Sequence, residues 1–251
     1  MAAPKNEIKA RLQRGERQIG CWLNLADPIA AEVAAQAGFD WLLIDAEHGP
    51  NDLRFILAQL QALGSHPAVV RLPSGDPVAI KRVLDIGAQT LLIPMVESGE
   101  EAANLVAATR YPPAGRRGVA SAIVRASRYG SDPEYFATAD AEIALILQVE
   151  NRAGLSALDE IASTEGVDAV FIGPADLAAD MGFPGPGEPA AQEVVMDAIR
   201  RIRSHGTAAG ILGFDAPYIA AAESAGATFL GVGSDVALFA AALRDQAARF
   251  R

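Results

Sequence analysis

Ile143-Ala-Leu-Ile-Leu-Gln-Val-Glu150-Asn-Arg-Ala-Gly-Leu-Ser-Ala-Leu-Asp-Glu-Ile-Ala-Ser-Thr-Glu-Gly166-Val-Asp-Ala-Val-Phe-Ile-Gly173-Pro-Ala-Asp176 contains one complete repeat of the chain's plan. The apolar run Ile143–Val149 reads as a strand covered on both faces. A helical pattern over Leu155–Thr164 follows and stops at Gly166, where a left-handed turn is needed. Asp168–Ile172 is the next strand, and Gly173-Pro174 turns it into a new helix. Each strand run gives way to an acid at its polar end, Glu150 and Asp176.

The same rhythm extends in both directions. The other strand runs are Gln18–Leu25, Asp40–Ile44, Ala68–Leu72, Thr90–Pro94, Thr207–Ile211 and Thr228–Val232. Helical patterns cover Pro28–Ala37, Asp52–Leu63, Pro77–Ile86, Gly99–Thr109, Ala190–His205, Ala216–Ala225 and Asp235–Phe250. Gly38, Gly64, Gly87, Gly206 and Gly226 repeat the helix stop. Alternation of this kind implies parallel strands with right-handed crossovers. Eight such units favour a closed α/β barrel, the (β/α)8 or TIM fold, as one domain over residues 1–251.

Bulk properties narrow the function classes. The 251 residues are 51% hydrophobic and 21% charged, which excludes a disordered chain. The net charge of −10 and the lack of a basic stripe argue against nucleic acid. A small anionic substrate stays open, because a local Arg or a metal can reverse the potential inside a pocket. The single cysteine, Cys21, reads as a small core residue. The N-terminal segment resembles a short amphipathic helix without a signal peptide's apolar centre. No apolar stretch reaches the ~18 residues that span a bilayer. These features point to a cytoplasmic protein.

Two segments break the rhythm. Residues 110–130 hold five arginines in an acidic protein, and long ordered loops are often functional. Asp180–Pro189 is rich in Gly and Pro and reads as a lid, a subunit contact or a mobile tip.

Strand ends of a parallel barrel share one rim, and that rim carries the chemistry. Glu150 and Asp176 are hard oxygen donors suited to a Mg²⁺-like ion, or else helix caps. His48, in Trp41-Leu-Leu-Ile-Asp-Ala-Glu-His48-Gly, is a candidate general base. His66 and His205 sit in turns and read as surface residues. Arg71 could hold a carboxylate or an enolate oxygen, or form a plain salt bridge. The amides of Ala175 and Asp176 open a helix and could face an anion. Gly231–Ser234 is a weak candidate for a phosphate cradle. Asp85, four residues after Lys81, reads locally as a solvated acid.

Together, Gly20-Cys-Trp22-Leu, Leu42-Leu-Ile-Asp45-Ala-Glu47-His48-Gly, Val70-Arg71, Leu84-Asp85-Ile-Gly-Ala-Gln, Gln148-Val-Glu150 and Phe171-Ile-Gly-Pro-Ala-Asp176-Leu resemble the HpcH/HpaI aldolases. These are metal-dependent pyruvate aldolases typified by 4-hydroxy-2-oxoheptanedioate aldolase. The resemblance covers nearly the whole chain. It implies a barrel assembled as a hexamer, a dimer of trimers. It implies a divalent ion (Mg²⁺, Mn²⁺ or Co²⁺) on Glu150 and Asp176, chelated by a 2-oxo acid. Gln148, Gly173, Ala175 and Asp176 would line the site, and Arg71 would stabilise the enolate. His48 paired with Asp85 would be the acid/base dyad, the two meeting at one rim. Trp22, Val119 and Leu212 would wall the aldehyde pocket, with Val119 bringing in the Arg-rich loop.

The implied reaction is reversible cleavage of a 4-hydroxy-2-oxo acid to an aldehyde and pyruvate, or a related 2-oxo acid such as hydroxypyruvate. The only lysines are Lys5, Lys9 and Lys81, none at a strand end, which disfavours a Schiff base. The alternatives are a sugar-acid aldolase acting on 2-keto-3-deoxy acids, a citryl- or malyl-thioester lyase, and a barrel that only binds a phosphorylated metabolite.

Overall fold

Alternate residues of a β-strand face opposite sides, and in a closed barrel those sides are the interior and the helical layer. The computed structural model, which describes residues 2–251 and leaves Met1 outside, has this arrangement throughout. Its strands are β1 (Gln18–Leu23), β2 (Trp41–Asp45), β3 (Ala68–Arg71), β4 (Thr90–Ile93), β5 (Ala144–Val149), β6 (Ala169–Ile172), β7 (Ala208–Leu212) and β8 (Phe229–Ser234). Each pairs in parallel with the next, and β8 pairs with β1 to close the barrel. The helices are α1 (Glu7–Gln13), α2 (Pro28–Ala35), α3 (Leu53–Leu63), α4 (Pro77–Asp85), α5 (Gly99–Thr109), α6 (Tyr135–Thr138), α7 (Arg152–Ser156), α8 (Leu158–Ser163), α9 (Pro174–Asp180), α10 (Pro189–Ser204), α11 (Ala216–Ala225) and α12 (Asp235–Ala248). The expected TIM fold is the observed one.

The two strand faces build two cores. Leu42, Ile44, Val70, Leu91, Ile93, Leu145, Leu147, Val170 and Ile172 pack outward against the helices. Trp22, Trp41, Leu43, Val69, Leu92, Ile146, Phe171 and Phe229 fill the interior. Trp41 stacks on Phe229 with ring centroids 4.1 Å apart. Ile8 and Leu12 of α1 join the interior cluster.

Helix starts follow from cap chemistry. Asp27, Asp52, Asp76 and Asp215 accept first-turn amides of α2, α3, α4 and α11. Proline at the first helical position pre-sets the turn in α2 and α4. The six predicted glycine stops all have positive φ.

Some boundaries differ from expectation. β1 ends at Leu23, because the amides of Asn24 and Leu25 turn to the Asp235 carboxylate and Ala26 takes φ +54°. The helix expected over Leu155–Thr164 begins earlier, where Asn151 caps the Gly154 amide, and divides at Ala157 into α7 and α8. Gly231–Ser234 is strand, with Ser234 capping α12. A Cβ at Gly231 would lie 2.2 Å from the Trp22 ring, so this glycine makes room for Trp22 instead of cradling a phosphate. His66 is half-buried with its Nε2 enclosed, and His205 contacts Asp159 at 3.1 Å.

The arginines of the long loop are largely committed to structure. Arg110 donates to the Asp140 carbonyl, Arg116 to Asn104, and Arg125 to the Ile86 carbonyl beyond α4. Arg117 is buried, stacks 4.4 Å over Tyr111 and bonds Asp85. Among the described residues no helix is long and apolar enough to cross a membrane.

Candidate active site

Inward parity carries the interior pattern to the C-terminal rim and decides which polar side chains arrive there. In β2 the inward residues Trp41 and Leu43 are followed by Asp45. In β3, Val69 is followed by Arg71. In β5, Ile146 is followed by Gln148 and Glu150, and in β6, Phe171 is followed by Gly173. A cavity of about 730 Å³ opens there, lined by Trp22, His48, Arg71, Gln148, Gly173, Ala175, Asp176 and Leu212. Phe171, Phe214 and Tyr218 make its apolar side, and Pro186 and Gly187 bring the Gly/Pro-rich insertion to its edge.

Asp45 organises the cationic half. It is fully buried, and Arg71 forks onto it through Nε at 2.9 Å and Nη2 at 2.7 Å. The remaining guanidinium nitrogen pairs with Glu47 at 2.8 Å. The amides of Glu47 and His48 also donate to Asp45 Oδ1, at 3.1 and 3.2 Å. Burial opposes ionisation of Asp45, but Arg71 and the amides of His48 and Glu47 together outweigh it and hold the carboxyl below its ordinary range. His48 is 65% exposed, with Nε2 3.9 Å from Glu47.

Glu150 organises the anionic half. Neither Glu150 nor Asp176 is a helix cap: Asn151 caps α7, and α9 starts at Pro174 with no side-chain cap. The buried Glu150 carboxylate accepts the Gln148 amide and, at 3.0 Å, the amide of Met95. Met95 presents that amide from a left-handed backbone, φ +58°, unusual for a residue with a Cβ. Burial pushes the Glu150 carboxyl up to about 7, and the charges of Glu47 and Asp176 add to the effect. Burial, with Asp45 and Asp176 nearby, also raises Glu47 against the pull of Arg71.

These residues fit a divalent cation. Burial penalises the negative charge of Glu150 and Glu47, the nearby charge of Asp176 adds to it, and a cation would relieve that penalty. A Cβ at Gly173 would lie 2.4 Å from Glu150 Oε2 and 2.9 Å from Gln148 Nε2, so only glycine leaves this carboxylate in place. The Gln148 Oε1 is buried without a partner. Among the described residues no group of three or more His, Cys, Asp or Glu is set to hold a metal. Two carboxylates completed by water and substrate oxygens suit a Mg²⁺-like ion.

Two expected site residues are not in this cavity. Asp85 is the last residue of α4, which leaves the site rim after Arg71 and runs back beside the barrel. It therefore stands at the opposite end from His48, paired with Arg117 at 3.0 Å. Helix direction in a parallel barrel forbids the two from meeting at one rim of the same chain. Val119 is 58% exposed and does not line the cavity. Its neighbour Gly118 packs on Lys81 of α4, so the Arg-rich loop lies along the barrel's outer side. Sequence reading also missed the roles of Asp45, Glu47 and Met95. Strand parity could have found Asp45; nothing local signals Met95.

Comparison with known proteins agrees with the barrel fold. The family model described as HpcH/HpaI aldolase/citrate lyase matches residues 18–242. A hydroxypyruvate/pyruvate aldolase of Pseudomonas aeruginosa is 56% identical, over 100% of this chain and 95% of that protein. A 4-hydroxy-2-oxo-heptane-1,7-dioate aldolase of Salmonella typhimurium is 51% identical, over 98% of this chain and 95% of that protein. The crystal structure of an HpcH/Hpal aldolase/citrate lyase family protein from Burkholderia cenocepacia J2315 superposes with a TM-score of 0.93 at 39% identity, covering 98% of this chain and all of that one. With the family model spanning all eight strands and relatives above half identity along its whole length, the chain belongs to the HpcH/HpaI aldolase/citrate lyase family.

Proposed function

We propose that this carbon–carbon lyase cleaves 4-hydroxy-2-oxo acids reversibly into an aldehyde and pyruvate or hydroxypyruvate. The observation that carries the reading is the convergence of Asp176, a forked arginine and an exposed histidine on one cavity, with the buried Glu150 carboxylate held beside it by Gln148. Among the described residues no lysine lines that cavity: Lys9 holds Asp168 and the Ile143 carbonyl, and Lys81 packs under Gly118. An imine route has no amine to use.

Glu150 and Asp176 would hold Mg²⁺, Mn²⁺ or Co²⁺, which supplies Lewis-acid stabilisation of the oxygen that becomes anionic. The amides of Ala175 and Asp176 and the Gln148 side chain receive the 2-oxo acid. His48 takes the proton of the C4 hydroxyl. The C3–C4 bond then breaks, its electron pair enters the enolate, and the C4 oxygen becomes the aldehyde carbonyl. Arg71, fixed by Asp45, neutralises charge on the enolate oxygen. Protonated His48 can return its proton to C3. Trp22, Phe171, Leu212 and Phe214 form an apolar wall that excludes water from the aldehyde.

Asp85 and Val119 could serve this site only from another copy of the chain. Apolar side chains exposed on α12 (Leu238, Phe239, Leu243), on α2 (Ile29, Val33) and at Ile123 support an assembled form, which we read as a hexamer. Sedimentation tests the assembly.

Loss of the pyruvate methyl proton signal in D₂O tests the chemistry without knowing the aldehyde. Exchange that requires both protein and metal and falls in His48→Ala is the expected result. No exchange above controls, with metal bound, overturns it.

A further inference from the structure

The first residue of α12 connects to Arg71 through a continuous chain of hydrogen bonds. The Asp235 carboxylate accepts the Asn24 amide at 2.8 Å and the Leu25 amide at 3.2 Å. This holds the turn after β1, where Ala26 takes φ +54°. The turn aims the Asn24 side-chain amide at Asp45 Oδ2, 2.6 Å away. That same oxygen receives Arg71 Nη2 at 2.7 Å. Asn51 completes the support, donating to the Asp45 carbonyl at 2.8 Å.

We propose that Asn24 and Asp235 are positioning residues that set the orientation of the Arg71 guanidinium through Asp45. The proposal rests on the reading of Arg71 as the group that neutralises the enolate. Asp45 Oδ1 is fixed by two backbone amides and Arg71 Nε. Among the described residues Oδ2 has no backbone donor, only Arg71 and Asn24. Without Asn24, Oδ2 is held by Arg71 alone. The amides on Oδ1 and Glu47 on the third guanidinium nitrogen remain, and the carboxylate–guanidinium fork can tilt about them. Asp235 acts one step further out: without it the two amides of the turn lose their acceptor and Asn24 loses its aim. Neither residue lines the cavity, so neither is a catalytic residue. Because α12 has no buried residue of its own, Asp235 is its polar tie to the barrel beside the site.

The test is a double-mutant cycle on the full-length, Mg²⁺-loaded protein. Asn24→Ala and Asp235→Ala are each combined with Arg71→Ala. Pyruvate methyl exchange and the affinity for oxalate, a planar dianion resembling the enolate, are measured alongside Mn²⁺ affinity and thermal unfolding. Each single variant is expected to lose exchange and oxalate affinity by about ten- to a hundredfold, as for a displaced catalytic group. Mn²⁺ affinity stays unchanged, and the two effects on oxalate affinity vanish in the Arg71→Ala background. A purely structural role gives the same loss with or without Arg71, and that additivity overturns the proposal. So does wild-type exchange in Asn24→Ala. If Asn24→Ala fails to fold, Asn24→Ser takes its place in the cycle, where loss that depends on Arg71 supports the proposal and additive loss overturns it. Absence of exchange in the wild-type protein overturns the underlying reading of the site itself, whatever the variants do.

Discussion

Asp45 and Arg71 stand in register at the ends of neighbouring strands β2 and β3, and the carboxylate takes the guanidinium through two bonds of 2.9 and 2.7 Å. Their Cα atoms are paired by the sheet, so the fork needs no adjustment of either backbone. Asp45→Asn removes the charge but keeps the shape. It should destabilise the fold by about 3 kcal/mol, the low end for breaking a buried pair, because Glu47 still holds one nitrogen of Arg71. Turnover should fall with stability. Urea unfolding and pyruvate exchange measure the two effects; a variant as stable and active as the wild type would remove Asp45 from the centre of the site.

The same pair has a pH signature. The Asp45 carboxyl is held below the unfolded-state value of about 4. Its stabilising contribution is therefore complete above that pH and is lost as pH falls through the lower, folded-state value. Acid titration of stability should show this component in the wild type and lack it in Asp45→Asn. Parallel curves for the two proteins would contradict the assignment.

Gly173→Ala tests the close approach beside Glu150. The added methyl would need a position 2.4 Å from Glu150 Oε2, so the carboxylate must move. Metal affinity should weaken by at least about tenfold, comparable to disturbing the support of a ligand. Calorimetric titration with Mn²⁺ measures it. Glu150→Gln should weaken binding at least as much, and unchanged titration of either variant would exclude Glu150 as a ligand.

His48→Ala should cost about 10²- to 10⁴-fold in exchange and turnover, the usual span for loss of a general base. His48 is largely exposed, and among the described residues its side chain makes no hydrogen bond, approaching Glu47 only to 3.9 Å. Thermal stability and Mn²⁺ affinity should therefore be unchanged. Wild-type turnover in this variant would remove His48 as the base.

Cys21 lies in β1 among outward-packed core residues, and burial pushes its thiol up to about 12. The native protein should resist thiol reagents that label it fully in urea. Rapid labelling of the folded protein would show that β1 opens.

Much of this molecule can be read locally. Asp-Pro before α2 and α4, and Gly at the ends of α2, α3 and α4, act through bonds within a few residues. The apolar runs of β5 and β6 likewise end at one rim, which puts Glu150 just past β5 and Asp176 in the first turn of α9. The alternation of strand and helix then leaves few topologies besides a parallel barrel.

Pairings across the barrel were decided only by tertiary structure. Asp85 and Val119 belong to segments whose motifs are intact, yet α4 returns Asp85 to the far rim and the loop lies on the outer side. Asp45 looked like one acid among several until closure turned it inward beside Arg71. Met95 gained its role from a backbone conformation that no side-chain pattern announces. The physical reason is one of range. Caps, turns and strand runs are local equilibria of the chain, whereas which side chains face each other depends on register, inward parity and helix direction, which exist only once the eight strands have closed.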